Sequence, residues 1–453
     1  MKYQSTRGRA PVLDFADVLL TGLAADGGLY VPESLPAVPA PSDRGTSRPY
    51  VDVALDTMWP FVDGAVERTS FVAMVEGAYA AFDHPDVCPL VDLGDGLWVQ
   101  ELWHGPTLAF KDVALQLVGR LFDHELTRRH ERATIVVATS GDTGSAAIEA
   151  CAGRATLDIV VLHPAGRVSD VQRRLMTTAE APNVHNVAVE GTFDVCQDLV
   201  KAMFGDEAFR RDLRLSAMNS INWARVMAQL VYYRTATDAV GRCSFAVPTG
   251  NFGNVLAGWY ARKMGVPVDR LLIGSNRNDI LTRWVATGAL VAEEVVPTIS
   301  PAMDVQVSSN VERVLFELLD RDGAEVAELM GRARALGAVE APRDPVFSAV
   351  RLDDDETRAV IAEVHAAAGH LVDPHTAVGI GAARRLRVPG EPVVCLSTAH
   401  PAKFPDAVEA ATGVRPPLPV RLADLADRPE RFDVLPADLG LVKAHVRKAV
   451  AIT

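Results

Sequence analysis

Cysteine is scarce in this chain. Five occur in 453 residues, at positions 88, 151, 196, 243 and 395. The number is odd, the spacing is irregular and no Cys-x-x-Cys occurs. The pattern offers neither a disulfide framework nor a metal motif, and a reducing cytoplasm is the expected setting. No apolar run approaches membrane-spanning length, so no contact with a membrane is expected. Met1-Lys2-Tyr3-Gln4 lacks the apolar core of a secretory signal. Positive charge is in deficit: 45 Lys and Arg face 58 Asp and Glu, for a net charge of −13. That balance argues against a nucleic-acid partner, although local arginines still decide whether a small anion binds. Internal repeats and low-complexity tails are absent as well.

What is present is a soluble globular composition, 49% hydrophobic and 23% charged. The length exceeds one ordinary core and predicts two or three domains. Up to about Pro89, short helical runs mix with a Pro/Ser/Asp/Gly-rich stretch, Pro36 to Pro49, which reads as a loop. From Val91 onward, short β-branched runs alternate with helical segments. The expected strands are Thr134–Val137, Asp158–Leu162, Asn186–Val189, Phe245–Val247, Leu271–Gly274 and Pro392–Leu396. That alternation predicts an α/β fold with a largely parallel sheet. Arg351-Leu352-Asp353-Asp354-Asp355-Glu356 reads as a solvated helix start.

Three turns carry the chemistry. The first is Gly105-Pro106-Thr107, which leads through Leu108 and Phe110 to Lys111 and an amphipathic helix beyond. Unpaired N–H groups at a helix start disfavour an ammonium, and apolar neighbours disfavour it further. Both effects leave an amine free to attack a carbonyl. The second turn is Thr139-Ser140-Gly141-Asp142-Thr143-Gly144, between a buried strand and a helix. Its N–H groups and the Thr139, Ser140 and Thr143 hydroxyls can converge on one carboxylate. The third is Gly250-Asn251-Phe252-Gly253-Asn254, where two glycines let the backbone approach a phosphate before a helix near Val255. A reactive lysine, a carboxylate cradle and a phosphate cradle together specify pyridoxal 5′-phosphate chemistry.

The chain resembles the threonine synthase family, of the longer bacterial and fungal type. The motifs that carry the resemblance run nearly end to end. They include Tyr3-Gln4-Ser5-Thr6-Arg7-Gly8, Asp26-Gly27-Gly28-Leu29-Tyr30-Val31-Pro32, the Lys111 segment and Ser140-Gly141-Asp142-Thr143-Gly144. Others are Asn219-Ser220-Ile221-Asn222-Trp223-Ala224-Arg225, Gly250 to Asn254, Asp304 to Asn310, and Thr398-Ala399-His400-Pro401-Ala402-Lys403-Phe404. Departures are small: Val195 replaces an acidic residue, Trp103 a Phe and Met218 an Ile.

The resemblance implies a fold-type II pyridoxal-phosphate enzyme, like the tryptophan synthase β chain, with two α/β domains plus an N-terminal domain. The expected divisions are residues 1–90, then 91–215 carrying Lys111, then 216–453 carrying the phosphate loop. Lys111 would hold the coenzyme as a Schiff base and shuttle protons. Gly250, Asn251, Phe252, Gly253 and Asn254 would bind its phosphate, and Thr398, at a strand end, its pyridine nitrogen. Asp142 aligns beside the coenzyme's 3′-oxygen, where a carboxylate is awkward unless a proton is shared. Thr139, Ser140 and Thr143 would take the substrate carboxylate; Asn219, Ser220, Asn222 and Arg225 would take the substrate phosphate. The implied reaction converts O-phospho-L-homoserine and water to L-threonine and phosphate, a lyase reaction closing threonine biosynthesis. The alternative is a threonine-synthase-like phospholyase that eliminates phosphate without hydration. No metal is implied, and the expected assembly is a monomer, with a dimer as the alternative.

Overall fold

The computed structural model describes residues 1–38, 48–139 and 141–451. Residues 39–47 of the expected Pro36–Pro49 loop, and Ser140 of the carboxylate turn, lie outside the described residues. Two main sheets organise the molecule. A five-stranded sheet runs Asp433–Pro436, Val184–Glu190, Leu157–Pro164, Ala133–Ala138, Leu215–Ser216, all parallel. A six-stranded sheet runs Phe347–Arg351, Val268–Ser275, Cys243–Pro248, Val393–Ser397, Leu97–Glu101, Leu90–Asp92. Only its last pair is antiparallel. A small antiparallel sheet is built around Lys2–Ser5. Helices Tyr50–Val62 and Arg68–Tyr79 complete the N-terminal part of the chain.

All six expected strands form, each with slightly different ends. They were legible because parallel strands are covered on both faces and so read as continuous apolar runs; every residue of Leu157–Pro164 is buried. Leu97–Glu101, Phe347–Arg351 and Asp433–Pro436 were not expected. Leu97–Glu101 ends in polar residues, yet it lies inside the sheet: the buried Gln100 donates to the carbonyl of Tyr232 at 3.0 Å. Asp433–Pro436 is a largely exposed edge strand ending in proline. The chain therefore passes between the main sheets at both ends, and neither sheet comes from one continuous stretch.

The helix Lys111–Arg129 corrects the amphipathic expectation. From Lys111 to Gly119 every residue is buried, because the helix packs against Asp142–Cys151 and Trp223–Val240 together. Gly119 permits the first of these contacts: a Cβ there would lie 2.1 Å from the Ala150 carbonyl oxygen. The helix expected near Val255 begins at Gly253. The acidic stretch at 353–356 opens the helix Asp354–Ala368, with Asp353 and Glu356 forming a capping box.

The N-terminal sheet is tied in by polar side chains. Thr6 donates to Glu312 at 2.7 Å, and Arg7 holds the same carboxylate through two nitrogens at 3.0 and 2.9 Å. The Tyr3 ring lies against Phe15 and Trp223. All five cysteines are free and buried. Among the described residues, no helix is long and apolar enough to cross a membrane and no side-chain group could hold a metal ion.

Candidate active site

Ligands in parallel α/β sheets collect at the carboxyl ends of strands. Three neighbouring strands of the six-stranded sheet end here. Leu97–Glu101 leads to the Lys111 turn, Val393–Ser397 to Thr398, and Cys243–Pro248 to the Gly250 loop. The first two turns are joined by backbone bonds: Phe110 N–H donates to Thr398 O at 2.9 Å, and His400 N–H to Leu108 O at 3.0 Å. Across from them, Ala133–Ala138 of the other sheet ends at Thr139 and the helix Asp142–Cys151.

Lys111 is the first residue of its helix and is buried. Its Nζ lies 3.2 Å from Asp142 Oδ2. Burial pushes the amine below its ordinary value; Asp142 opposes that shift, while the like charges of Lys403 and Arg225 reinforce it. For Asp142, burial alone would raise the carboxyl, but the ammoniums of Lys111 and Lys403 outweigh it and hold the group well below the usual carboxylate range. Its other oxygen, Oδ1, meets Lys403 Nζ at 2.6 Å and Gln172 Nε2 at 2.9 Å. Lys403 and Gln172 were missed from sequence as partners of Asp142. A single lysine inside the otherwise apolar Pro401-Ala402-Lys403-Phe404 was the available signal.

The loop expected to hold the phosphate is little bonded to the rest of the protein. The N–H groups of residues 250–255 donate to no described residue. Phe252 adopts a left-handed backbone with φ 63° and caps the helix Gly253–Lys263. At Gly250 a Cβ would lie 2.7 Å from the Ala302 carbonyl oxygen, so the loop takes no side chain there. Asn254 accepts from Tyr232 and Tyr233 at 2.6 and 3.0 Å, while its buried Nδ2 has no acceptor. The exposed Asn251 offers its carbonyl to Asn310. A run of free N–H groups at a helix start plus an orphaned amide fits a phosphate.

The carboxylate turn is wired differently. Thr139 Oγ1 accepts from Gly141 N–H and Gly144 N–H, both at 2.9 Å, so this hydroxyl closes the turn on itself. Thr143 is half-buried and its hydroxyl bonds to no described residue. Thr398 is buried, and its hydroxyl likewise has no described partner; its N–H donates to Thr376 at 3.3 Å.

The cluster before the helix Trp223–Val240 splits. Asn222 caps that helix through Ala224 N–H at 3.0 Å and donates to Leu19 O at 2.8 Å. Its amide is thus engaged at both ends and anchors the N-terminal segment, instead of standing open to a phosphate. Asn219 Oδ1 accepts from Ile221 N–H at 3.3 Å, and the Ser220 hydroxyl has no described partner. Arg225 is different in kind. It is 4% exposed, and its guanidinium makes no hydrogen bond or ion pair with any described residue. Burial pushes it down to about 10. A buried, unpaired guanidinium is costly, and its planar fork of donors suits an anion.

A buried lysine at the strand ends of two largely parallel α/β sheets, with a loop of free N–H groups after a neighbouring strand, marks a fold-type II pyridoxal-phosphate enzyme. Residues 88–399 match the pyridoxal-phosphate dependent enzyme family. Residues 2–79 match the threonine synthase N terminus, and 376–446 the threonine synthase C-terminal family. The chain belongs to the threonine synthase family. It is 50% identical to threonine synthase of Pseudomonas aeruginosa, over 98% of each chain. The crystal structure of pyridoxal-phosphate-bound threonine synthase from Brucella melitensis superposes with a TM-score of 0.96, at 51% identity over 99% of each chain. The yeast threonine synthase structure gives 0.93 at 36% identity, covering 100% of this chain and 99% of that one.

Proposed function

We propose that this chain converts O-phospho-L-homoserine and water to L-threonine and phosphate, using pyridoxal 5′-phosphate. Arg225 is the observation that carries the substrate assignment. It is buried, unpaired and close enough to depress Lys111. A second phosphate, beyond that of the coenzyme, is the ligand that matches a guanidinium fork. The free N–H groups of residues 250–255 support the coenzyme phosphate in the other position.

The coenzyme, when bound, supplies the electron sink for ionising carbon–hydrogen bonds. The protein's own groups do the rest. Lys111, with its proton affinity lowered by burial, takes and returns protons at the substrate's carbons. Asp142 holds that nitrogen from one side. The Thr398 hydroxyl, buried and without a described partner, would hold the ring nitrogen by a hydrogen bond and, being a weak acid, would leave the sink mild. The Thr143 hydroxyl and the N–H groups of Asp142 and Thr143, which donate to no described residue, take the substrate carboxylate, with Thr139 shaping that turn from within. Arg225 draws the substrate phosphate and balances its charge as it leaves. The five free, buried cysteines support a cytoplasmic setting.

Incubation with O-phospho-L-homoserine tests the reading. Threonine and phosphate should appear in equal amounts. Phosphate with 2-oxobutanoate and ammonia, in place of threonine, would replace the synthase reading with a phospholyase.

A further inference from the structure

Lys403 is fully buried, at 0% exposure, in the short turn Pro401–Lys403 that follows Thr398. A buried ammonium is costly unless paired. Its partners come from two other parts of the site. Nζ donates to the Thr107 carbonyl at 2.8 Å and meets Asp142 Oδ1 at 2.6 Å. Thr107 is itself fixed, because its N–H and hydroxyl both donate to the buried Asp112 at 2.7 Å. Asp142 therefore stands between two lysines: Lys403 on Oδ1, and Lys111 on Oδ2 at 3.2 Å.

We propose that Lys403 is a positioning residue for the reaction: its buried ammonium clamps one oxygen of Asp142, turns the other toward the Lys111 nitrogen, and acts on that nitrogen through its charge. The charges around the amine explain why a second lysine belongs here. Asp142 faces it from the helix Asp142–Cys151, beside the neutral Gln172 of Asp170–Thr177. Arg225 acts on it from the helix Trp223–Val240, and Asp112 lies beneath Thr107 and interacts with Lys403. Lys403 and Arg225 balance Asp142 and Asp112. Lys403 and Arg225 thus oppose a proton on the Lys111 nitrogen, and Asp142 favours one. Removing Lys403 favours the protonated form, through lost like-charge repulsion and through an Asp142 left to pair with Lys111 alone.

This inference rests on Lys111 being the coenzyme-binding lysine. Three variants of the coenzyme-loaded protein test it: Lys403→Gln keeps a donor for Thr107, Lys403→Met removes donor and charge, and Lys403→Arg keeps the charge. The readout is the pH midpoint of the coenzyme's visible band. The Gln and Met variants should move it upward by about one pH unit or more, and kcat/KM should fall about tenfold or more, in step with the lost protonation control. The Arg variant should keep the wild-type midpoint. An unmoved midpoint in a folded Gln or Met variant overturns the proposal. So does a displacement of a full unit in the Arg variant, which decides the matter if the other two fail to fold. Borohydride reduction of the wild-type protein separates the underlying reading: label on a lysine other than Lys111 would remove that reading and this inference with it, whereas label on Lys111 with an unmoved midpoint removes only the role of Lys403.

Discussion

The carboxylate turn at 139–144 and the phosphate loop at 249–254 look alike in sequence. Each follows a buried parallel strand, carries two glycines and opens a helix. Their wiring differs. In the first, the Thr139 hydroxyl accepts from the N–H groups of Gly141 and Gly144. In the second, the N–H groups of residues 250–255 have no acceptor among the described residues, and the orphaned Asn254 Nδ2 adds a further donor. The first turn commits two of its N–H groups to its own hydroxyl; the second commits none. Unsatisfied polar groups destabilise a folded protein, so the open loop is where binding a ligand contributes most to stability.

Lys111 meets the first region through Asp142, and its loss should be the largest effect. Lys111→Ala should abolish covalent coenzyme attachment and nearly all turnover, as borohydride reduction, peptide mapping and product formation will report. The next largest effect belongs to the phosphate loop. Gly250→Ala drives a Cβ to 2.7 Å from a backbone oxygen that cannot swing away. Overpacking of about 1–3 kcal/mol should weaken coenzyme binding roughly ten- to a hundredfold, measured as release on dialysis. Normal affinity would break the contrast between the loops.

Arg225→Ala should lower kcat/KM for O-phospho-L-homoserine by about one to two powers of ten, the worth of a charge-assisted hydrogen bond of roughly 1.5–3 kcal/mol. Because the guanidinium is buried and unpaired, ligand-free thermal stability should hold or rise. A marked drop in melting temperature, with substrate kinetics intact, would make Arg225 a structural residue. The smallest effect is expected at Thr139→Val, which keeps the shape and removes the acceptor. Stability should fall by about 1 kcal/mol, while coenzyme affinity stays at the wild-type level. Loss of coenzyme without loss of stability would mean that Thr139 reaches the ligand after all.

Much of the site was legible because its punctuation is local. Apolar run, glycine turn and helix start are short-range patterns, and they located Lys111, Asp142, the Gly250 loop and Thr398 on their elements. The strand Leu97–Glu101 was not legible. Its polar end looks like a loop, and the carbonyl of Tyr232, more than a hundred residues away, gives Gln100 its shortest bond. The partner of Asn222 was hidden for the same reason. Beside Arg225 it resembles a phosphate ligand, yet the Leu19 carbonyl claims its amide.

By itself, the sequence determined which chemical groups this protein owns and which turns present them, because backbone conformation at glycine, strand end and helix start is set by neighbours in the chain. Only the tertiary structure decided which of those groups remain free. Whether a hydroxyl, amide or ammonium is available depends on partners within about 3 Å, and those arrive from distant segments: Lys403 onto Asp142, Leu19 onto Asn222, and, at Arg225, no described partner at all.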